Sequence, residues 1–277
     1  MWRRWALGLA TLCGRRRGYF IPYRYAGDSP SPAVYTSLEP LFRAAESEFE
    51  ARLREARTYR DTLGGFIGSR PPAPRFEQDW FPRLDAAIAY SLVRTRRPGR
   101  IVEIGSGHST RFLARAIADG GLKTTLTAID PAPRAALAGV SVEWLRQPVQ
   151  AAGHAPFATL RPGDMLLIDS SHVLMPGSDV DFLFNQVWPR LPSGVLVHVH
   201  DIFLPDAYPE SWAWRGYNEQ NALVSRLGRD RLLWSSHWAA TRMAAAVTQA
   251  GLDVLPLMPG AFETSLWLET AQSAGNA

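Results

Sequence analysis

The sequence predicts an α/β fold built on a doubly wound parallel sheet, and three observations carry that expectation. The stretch Arg100–Arg111, R-I-V-E-I-G-S-G-H-S-T-R, reads as an apolar strand, a turn with two glycines and the capped start of a helix. That arrangement makes a cradle for nucleotide-type ligands. From there to Val199, short apolar strands alternate with helical patterns, as in a parallel sheet covered by helices. The strand ends are also chemically loaded. Strand one runs into Gly105-Ser106-Gly107 and strand two into Asp130. Strand four runs into Asp169-Ser170-Ser171-His172 and strand five into His198-Val199-His200-Asp201. Ligands of such sheets bind at the carboxyl ends of the strands.

Taken in order, the chain opens with M-W-R-R-W-A-L-G-L-A-T-L-C-G-R-R-R. Its apolar part, Trp5 to Cys13, is too short to span a bilayer. Arg15–Arg17 stand where a signal peptide has its small-residue cleavage site. The segment reads as an N-terminal helix with a frayed start, or as a basic, Trp-bearing helix that touches a membrane surface. A cytoplasmic location is expected. Residues 18–37 form an irregular arm rich in tyrosine and proline. Glu39–Leu63 is helical in period, with Leu41, Phe42, Ala45, Phe49 and Leu53 on one face, and Gly64-Gly65 end it. The proline-rich stretch 68–76 reads as a linker. It divides residues 1–75, an arm and helix, from a catalytic domain at 76–270, and 271–277 read as a frayed tail.

A second helix spans Trp80–Arg94. Strands follow at Arg100–Ile104, Thr124–Ile129, Ser141–Leu145, Asp164–Ile168 and Gly194–Val199. Helices are expected at Ser109–Asp119, near Arg134, and at Asp179–Arg190. A long aromatic loop, Asp201–Tyr217, precedes a helix at Asn218–Leu227. Arg231–Ser235 and Thr264–Leu268 read as two final strands. The loop carries Phe203, Tyr208, Trp212, Trp214 and Tyr217. It suits either a substrate lid or an aromatic-packed loop against the N-terminal arm.

The 277 residues, 46% of them apolar, are enough for a sizeable core. The formal net charge is +4, and Lys123 is the only lysine among the basic residues. These form no long run and no nucleic-acid module, so a small-molecule partner is expected rather than a nucleic acid. Cys13 is the only cysteine, which excludes an internal disulfide and a thiolate metal cluster. No stretch is long enough for a transmembrane segment, and nothing in the sequence fixes an oligomeric state.

Gly105 and Gly107 let the backbone approach a ligand with no side chain in the way. Asp130 lies twenty-five residues after Gly105, placed to accept hydrogen bonds from ribose hydroxyls. An NAD-binding turn would share that acid, but it needs a third glycine where Thr110 stands. The pattern E-x-G-x-G followed by an acid on strand two resembles the class I S-adenosylmethionine-dependent methyltransferases. The resemblance covers about residues 80–270. It implies a seven-stranded Rossmann-like sheet, which the two late strands match, with an N-terminal helical extension and S-adenosylmethionine as cofactor. It assigns Glu103 to anchoring the methionine ammonium through its loop. Gly105, Ser106 and Gly107 are assigned to the nucleoside and Asp130 to the ribose. Glu143 or Gln147, after strand three, is a candidate neighbour for the adenine.

Asp169 and His172 lie three residues apart after strand four, and His200 and Asp201 end the neighbouring strand. Such groups can converge on one cation. The arrangement resembles metal-dependent small-molecule and sugar O-methyltransferases, in which strand four ends in D-x-x-H. The resemblance assigns Asp169, with His200 and Asp201, to a divalent metal, and His172 to the general base. One position departs from the pattern, because His200 stands where an acid is expected and magnesium prefers oxygen ligands. Two readings stay open. A more nitrogen-tolerant ion such as manganese, iron or zinc can sit there. Alternatively no metal is bound, and His172 or His200 is a base held by Asp169 or Asp201.

The function expected is methyl transfer from S-adenosylmethionine to a small hydroxylated acceptor, O-methylation being favoured. Two alternatives remain on the same scaffold. One is an NAD-type oxidoreductase. The other is a non-haem iron oxygenase, since two histidines and an aspartate can form a facial triad.

Overall fold

In the computed structural model seven strands form one sheet: β1 Arg100–Ile104, β2 Thr125–Ile129, β3 Glu143–Leu145, β4 Met165–Ile168, β5 Leu196–Val199, β6 Arg231–Ser235 and β7 Leu266–Glu269. The structure describes residues 2–15, 17–19, 23–25, 28 and 34–271. The expected frayed tail, apart from Ala271, and much of the tyrosine-rich arm lie outside them. Strand order is β3-β2-β1-β4-β5-β7-β6. The first five strands run parallel, and β7 is antiparallel to both its neighbours. The sheet is thus the doubly wound, seven-stranded one expected. β4 and β5 are buried on both faces, which is why M-L-L-I and L-V-H-V are nearly unbroken apolar runs.

The register positions the site. Ile104 pairs with Ile129 and with Ile168, and Ile168 pairs with Val199. The next residues along each chain, Gly105, Asp130, Asp169 and His200, therefore leave the sheet at one level. The connectivity reverses on either side of β1, which makes the gap between β1 and β4 the crevice where such folds take ligands.

The helices are α1 Trp2–Leu12, α2 Glu39–Ala44, α3 Glu46–Arg57, α4 Arg60–Gly64, α5 Arg83–Arg96 and α6 His108–Asp119, with shorter turns after them. The single helix expected over 39–63 is therefore three. One interruption falls at Ala45. The other falls at Thr58, whose hydroxyl donates to the Glu55 carbonyl at 2.7 Å and competes with the backbone ladder. The apolar face still packs as its period demands: Phe42 packs on Trp238, and Phe49 meets Trp234 edge to face. Phe66 and Phe76 meet Phe112 of α6. Residues 42–66 thus share one hydrophobic core with the sheet.

The helix α5 begins at Arg83 rather than Trp80. The Gln78 side chain accepts from the backbone N–H groups of Trp80 and Phe81, both at 2.8 Å, and holds a turn there. No helix forms near Arg134. Pro131 and Pro133 remove backbone donors in that stretch, and it runs as bends and turns. The helix expected at 179–190 is α-helical only over Asp179–Phe182. It widens to a π turn at Leu183–Val187 and tightens at Trp188–Arg190, around Pro189. The helix after the aromatic loop is Glu219–Leu223 alone. Among the described residues no helix is long and apolar enough to cross a membrane.

Candidate active site

The glycine turn is set by the strand beside it. Gly105 has φ +76, and a Cβ there would lie 2.2 Å from the Asp169 carbonyl oxygen. Asp169 in turn donates its N–H to the Ile104 carbonyl at 2.9 Å. The glycine therefore lets the end of β4 close against the end of β1, which brings Asp169 to the crevice. Gly107, at φ +155, gives the same latitude to the Ala135 backbone, 3.3 Å from where its Cβ would be.

A cleft of about 520 Å³ opens beside this turn, lined among others by Gly105, Ser106, Asp130, Asp169, Ser170 and Ser171. That volume suits a drug- or cofactor-sized ligand. Asp130 is nearly buried on its wall. One carboxylate oxygen accepts from the Ala132 N–H at 2.7 Å and the other from the Ser106 hydroxyl at 2.9 Å. Ser106 thus braces the acid expected to face the ribose. Where β3 ends, Pro148, Val149 and Gln150 line the cleft, whereas Glu143 and Gln147 do not. Glu143 instead accepts from Thr127 on the neighbouring strand.

Glu103 is buried one step deeper. Its two oxygens accept from the hydroxyls of Ser109 and Thr110, at 2.5 and 2.6 Å. The Thr110 hydroxyl also accepts from the Gly107 N–H at 2.9 Å, which caps α6. Among the described residues no cation pairs with Glu103. Burial pushes its carboxyl up to about 8, and the neighbouring charges of Asp169 and Asp130 act in the same direction. A buried carboxylate without a cation, beside a cofactor-sized cleft, fits an incoming ammonium group.

Residues 102–202 match a family model described as a methyltransferase domain. This span begins inside β1 and ends just beyond the β5 terminus, so it contains every strand end described above. The match agrees with the methyltransferase expected from the glycine turn and the strand-end acids. No curated protein matches the sequence. Among solved structures, the chain is similar to a methyltransferase of Podospora anserina bound to S-adenosylhomocysteine, at 14% identity and TM-score 0.40, covering 92% of this chain and 100% of that one. It is similar to the O-methyltransferase TomG of Streptomyces achromogenes in complex with S-adenosylmethionine, at 20% identity and TM-score 0.41, covering 86% and 97%. It is also similar to an O-methyltransferase of Bacillus cereus in complex with S-adenosylhomocysteine, at 12% identity and TM-score 0.42, covering 86% and 98%. The family match over residues 102–202 favours the methyltransferase expectation over the oxidoreductase and iron-oxygenase alternatives.

The second cluster is a largely buried network of two imidazoles and four carboxylates. His172 Nδ1 lies 2.8 Å from Glu219, and its Nε2 lies 3.2 Å from Asp169 and 3.4 Å from Asp201. His200 Nε2 lies 3.3 Å from Asp85, and its Nδ1 lies 3.4 Å from Asp201. Burial pushes both imidazoles down, but the carboxylates outweigh it. They hold His172 well above the usual histidine range and His200 at about 9. Against its own burial, Asp169 is held well below the usual carboxylate range by His172 and His200. Both His172 and Asp201 have left-handed backbones, φ +60 and +57. Such conformations cost energy in non-glycine residues and gather at functional sites.

The metal site expected at Asp169, His200 and Asp201 is not supported. Among the described residues no group of three His, Cys, Asp or Glu side chains is arranged to hold a metal ion. The donor chemistry gives the reason. All four nitrogens of His172 and His200 already face carboxylates, so these residues form ion pairs with each other instead of presenting free lone pairs to a cation.

Asp169 reaches the cavities and His172 does not. Asp169 is about a third exposed and His172 is 1% exposed. Asp169 lines the large cleft and also a second cavity of about 110 Å³, walled by Trp80, Arg134, Asp201, Trp212, Arg215 and Phe262 among others. The aromatic loop supplies Trp212 and Arg215 to that wall and is itself densely packed. Phe203 meets Tyr208, Trp212 and Phe262, and Tyr217 lies over His172 at 4.5 Å. It also meets the N-terminal arm, where Tyr35 donates its N–H to the Pro205 carbonyl.

Two residues of this network, Asp85 and Glu219, lie away from the strand ends. Asp85 sits on the buried face of α5 with Leu84 and Ile88, and an acid on an apolar face was its signal. Glu219, in the first turn of its helix, is fully buried. His198, by contrast, is structural: its Nε2 lies 2.7 Å from the Ser265 hydroxyl, its ring stacks on Trp267, and burial pushes its pKa down to about 3.

Proposed function

We propose that the enzyme transfers a methyl group to a hydroxyl of a small acceptor held in the second cavity, with Asp169 contacting that hydroxyl and His172 as the final proton acceptor. What supports this reading is one observation: Asp169 is shared by the cofactor cleft and the second cavity, and His172 Nε2 stands 3.2 Å behind it. S-adenosylmethionine supplies a methyl group already activated on a sulfonium. The protein has to place the acceptor in line and take its proton, tasks that yield large rate gains through orientation and roughly 10²–10⁴-fold through base catalysis.

Glu103 receives the ammonium, Asp130 the ribose hydroxyls, and Ser106 holds Asp130 in place. The acceptor hydroxyl donates to Asp169. As the oxygen takes the methyl, its proton passes by way of the Asp169 carboxylate to Nε2 of neutral His172. Glu219 on Nδ1 fixes the ring and its tautomer. His172 gives up its resting proton more readily when a positive charge lies across Asp169, so cofactor binding and base formation favour each other. His200, paired with Asp85, stays charged and holds Asp201 and Asp169 in register. The reading runs without a metal and includes the cytoplasmic placement expected from sequence.

The experiment is a pH–rate profile with Asp169→Asn and His172→Gln variants. Because His172 is raised above its ordinary value, wild-type turnover should rise with pH above neutrality as the imidazole loses its proton. His172→Gln should cut kcat at least about a hundredfold while keeping S-adenosylhomocysteine affinity. Full turnover by His172→Gln, or a rate independent of pH through this range, would remove the base assignment.

A further inference from the structure

Among the described residues nothing covers the apolar side of the helix α1. Trp2, Trp5, Leu9 and Leu12 recur at spacings of three and four and share one face. They are 81, 77, 64 and 65% exposed. Elsewhere in the protein, tryptophans such as Trp188, Trp234, Trp238 and Trp267 lie in the core. A contiguous stripe of this kind marks an interaction surface.

The charge of the same arm says what covers it. Between Trp2 and Gly27 the sequence has six arginines and no acidic residue. With those six set aside, 24 basic side chains face 26 acidic ones. The excess positive charge of the protein thus resides entirely in this arm. Like charge opposes pairing of two such arms, whereas an anionic surface attracts them. Tryptophan belongs at a bilayer interface, where its ring meets both headgroup and chain. At eleven residues, α1 is far shorter than the roughly 20 needed to cross a bilayer, and its one-sided apolar stripe suits a position in the plane of the surface.

We propose that α1 is a membrane-surface anchor, docking on an anionic lipid bilayer through Trp2, Trp5, Leu9 and Leu12. Tyr19, farther along the same arm, lines the cofactor cleft. Docking of α1 therefore holds the cleft close to the bilayer.

The test is co-sedimentation of the full chain with phosphatidylcholine vesicles, with and without phosphatidylglycerol. Binding should be at least about tenfold stronger to the anionic vesicles and should weaken with added salt. The double variant Trp2→Ser, Trp5→Ser should lose vesicle binding while keeping the wild-type melting temperature and S-adenosylhomocysteine affinity, since α1 does not pack into the core. A full chain that stays in the supernatant with anionic vesicles overturns the proposal, as does a double variant that sediments like wild type. Wild-type dimers that the double variant dissolves would assign the face to a second copy instead.

Discussion

Glu103 is buried with no cation beside it among the described residues, and its proposed role as the ammonium partner makes cofactor binding pH-dependent. Below about 8 the free protein holds the proton there, and an ammonium ligand has to expel it. Affinity for S-adenosylhomocysteine is therefore expected to rise from pH 6 to pH 8, with proton release in calorimetry. Glu103→Gln should abolish the rise. Gly105 is constrained differently. Any side chain there meets the Asp169 carbonyl at 2.2 Å on a backbone of φ +76, so Gly105→Ala should cost roughly 2–3 kcal/mol of stability, read by denaturant unfolding. Both residues were legible in the sequence because strand, turn and helix start are local patterns. What the turn glycine accommodates was not legible, since Asp169 is far away in sequence.

The loops after β4 and β5 carry the ionic network, and its linkage to folding has a definite sign. A histidine whose folded pKa is raised stabilises the fold fully below its unfolded pKa. That contribution is lost as pH climbs through the folded value. His200, held at about 9, and His172 both act this way, so the melting temperature should fall from pH 6.5 to pH 9. Glu103, an acid held protonated to about 8, adds to the same trend over the lower part of this range. His200→Gln should flatten the upper part. The carboxyl-end clusters were visible as Asp and His at strand ends, but their pairing was not. Asp85 comes from α5 and Glu219 from beyond the aromatic loop, contacts that only the tertiary fold creates. For that reason His172, expected as the general base, is buried behind Asp169. For that reason, too, residues that looked like metal ligands are paired with each other. The helix α3 offers a separate test. Phe49 is buried against Trp234 of β6, so Phe49→Ala should cost roughly 3–5 kcal/mol and shift the whole melting transition. A boundary at residues 68–76 would instead leave the catalytic part melting as before.

At the scale of the whole molecule, sheet order and strand register bring Gly105, Asp130, Asp169 and His200 to one edge. The proposed reaction centre between two cavities rests on that convergence. Because the imidazole nitrogens are committed to carboxylates, dialysis against a chelator should leave methyl transfer unchanged, measured as S-adenosylhomocysteine formed. The most direct test of the central claim is calorimetric titration of the purified protein with S-adenosylhomocysteine and, separately, NAD, on wild type and Asp130→Ala. One S-adenosylhomocysteine should bind per chain, weakened at least about tenfold by the loss of the ribose-facing carboxylate. No binding, preference for NAD, or an affinity indifferent to Asp130→Ala would contradict it.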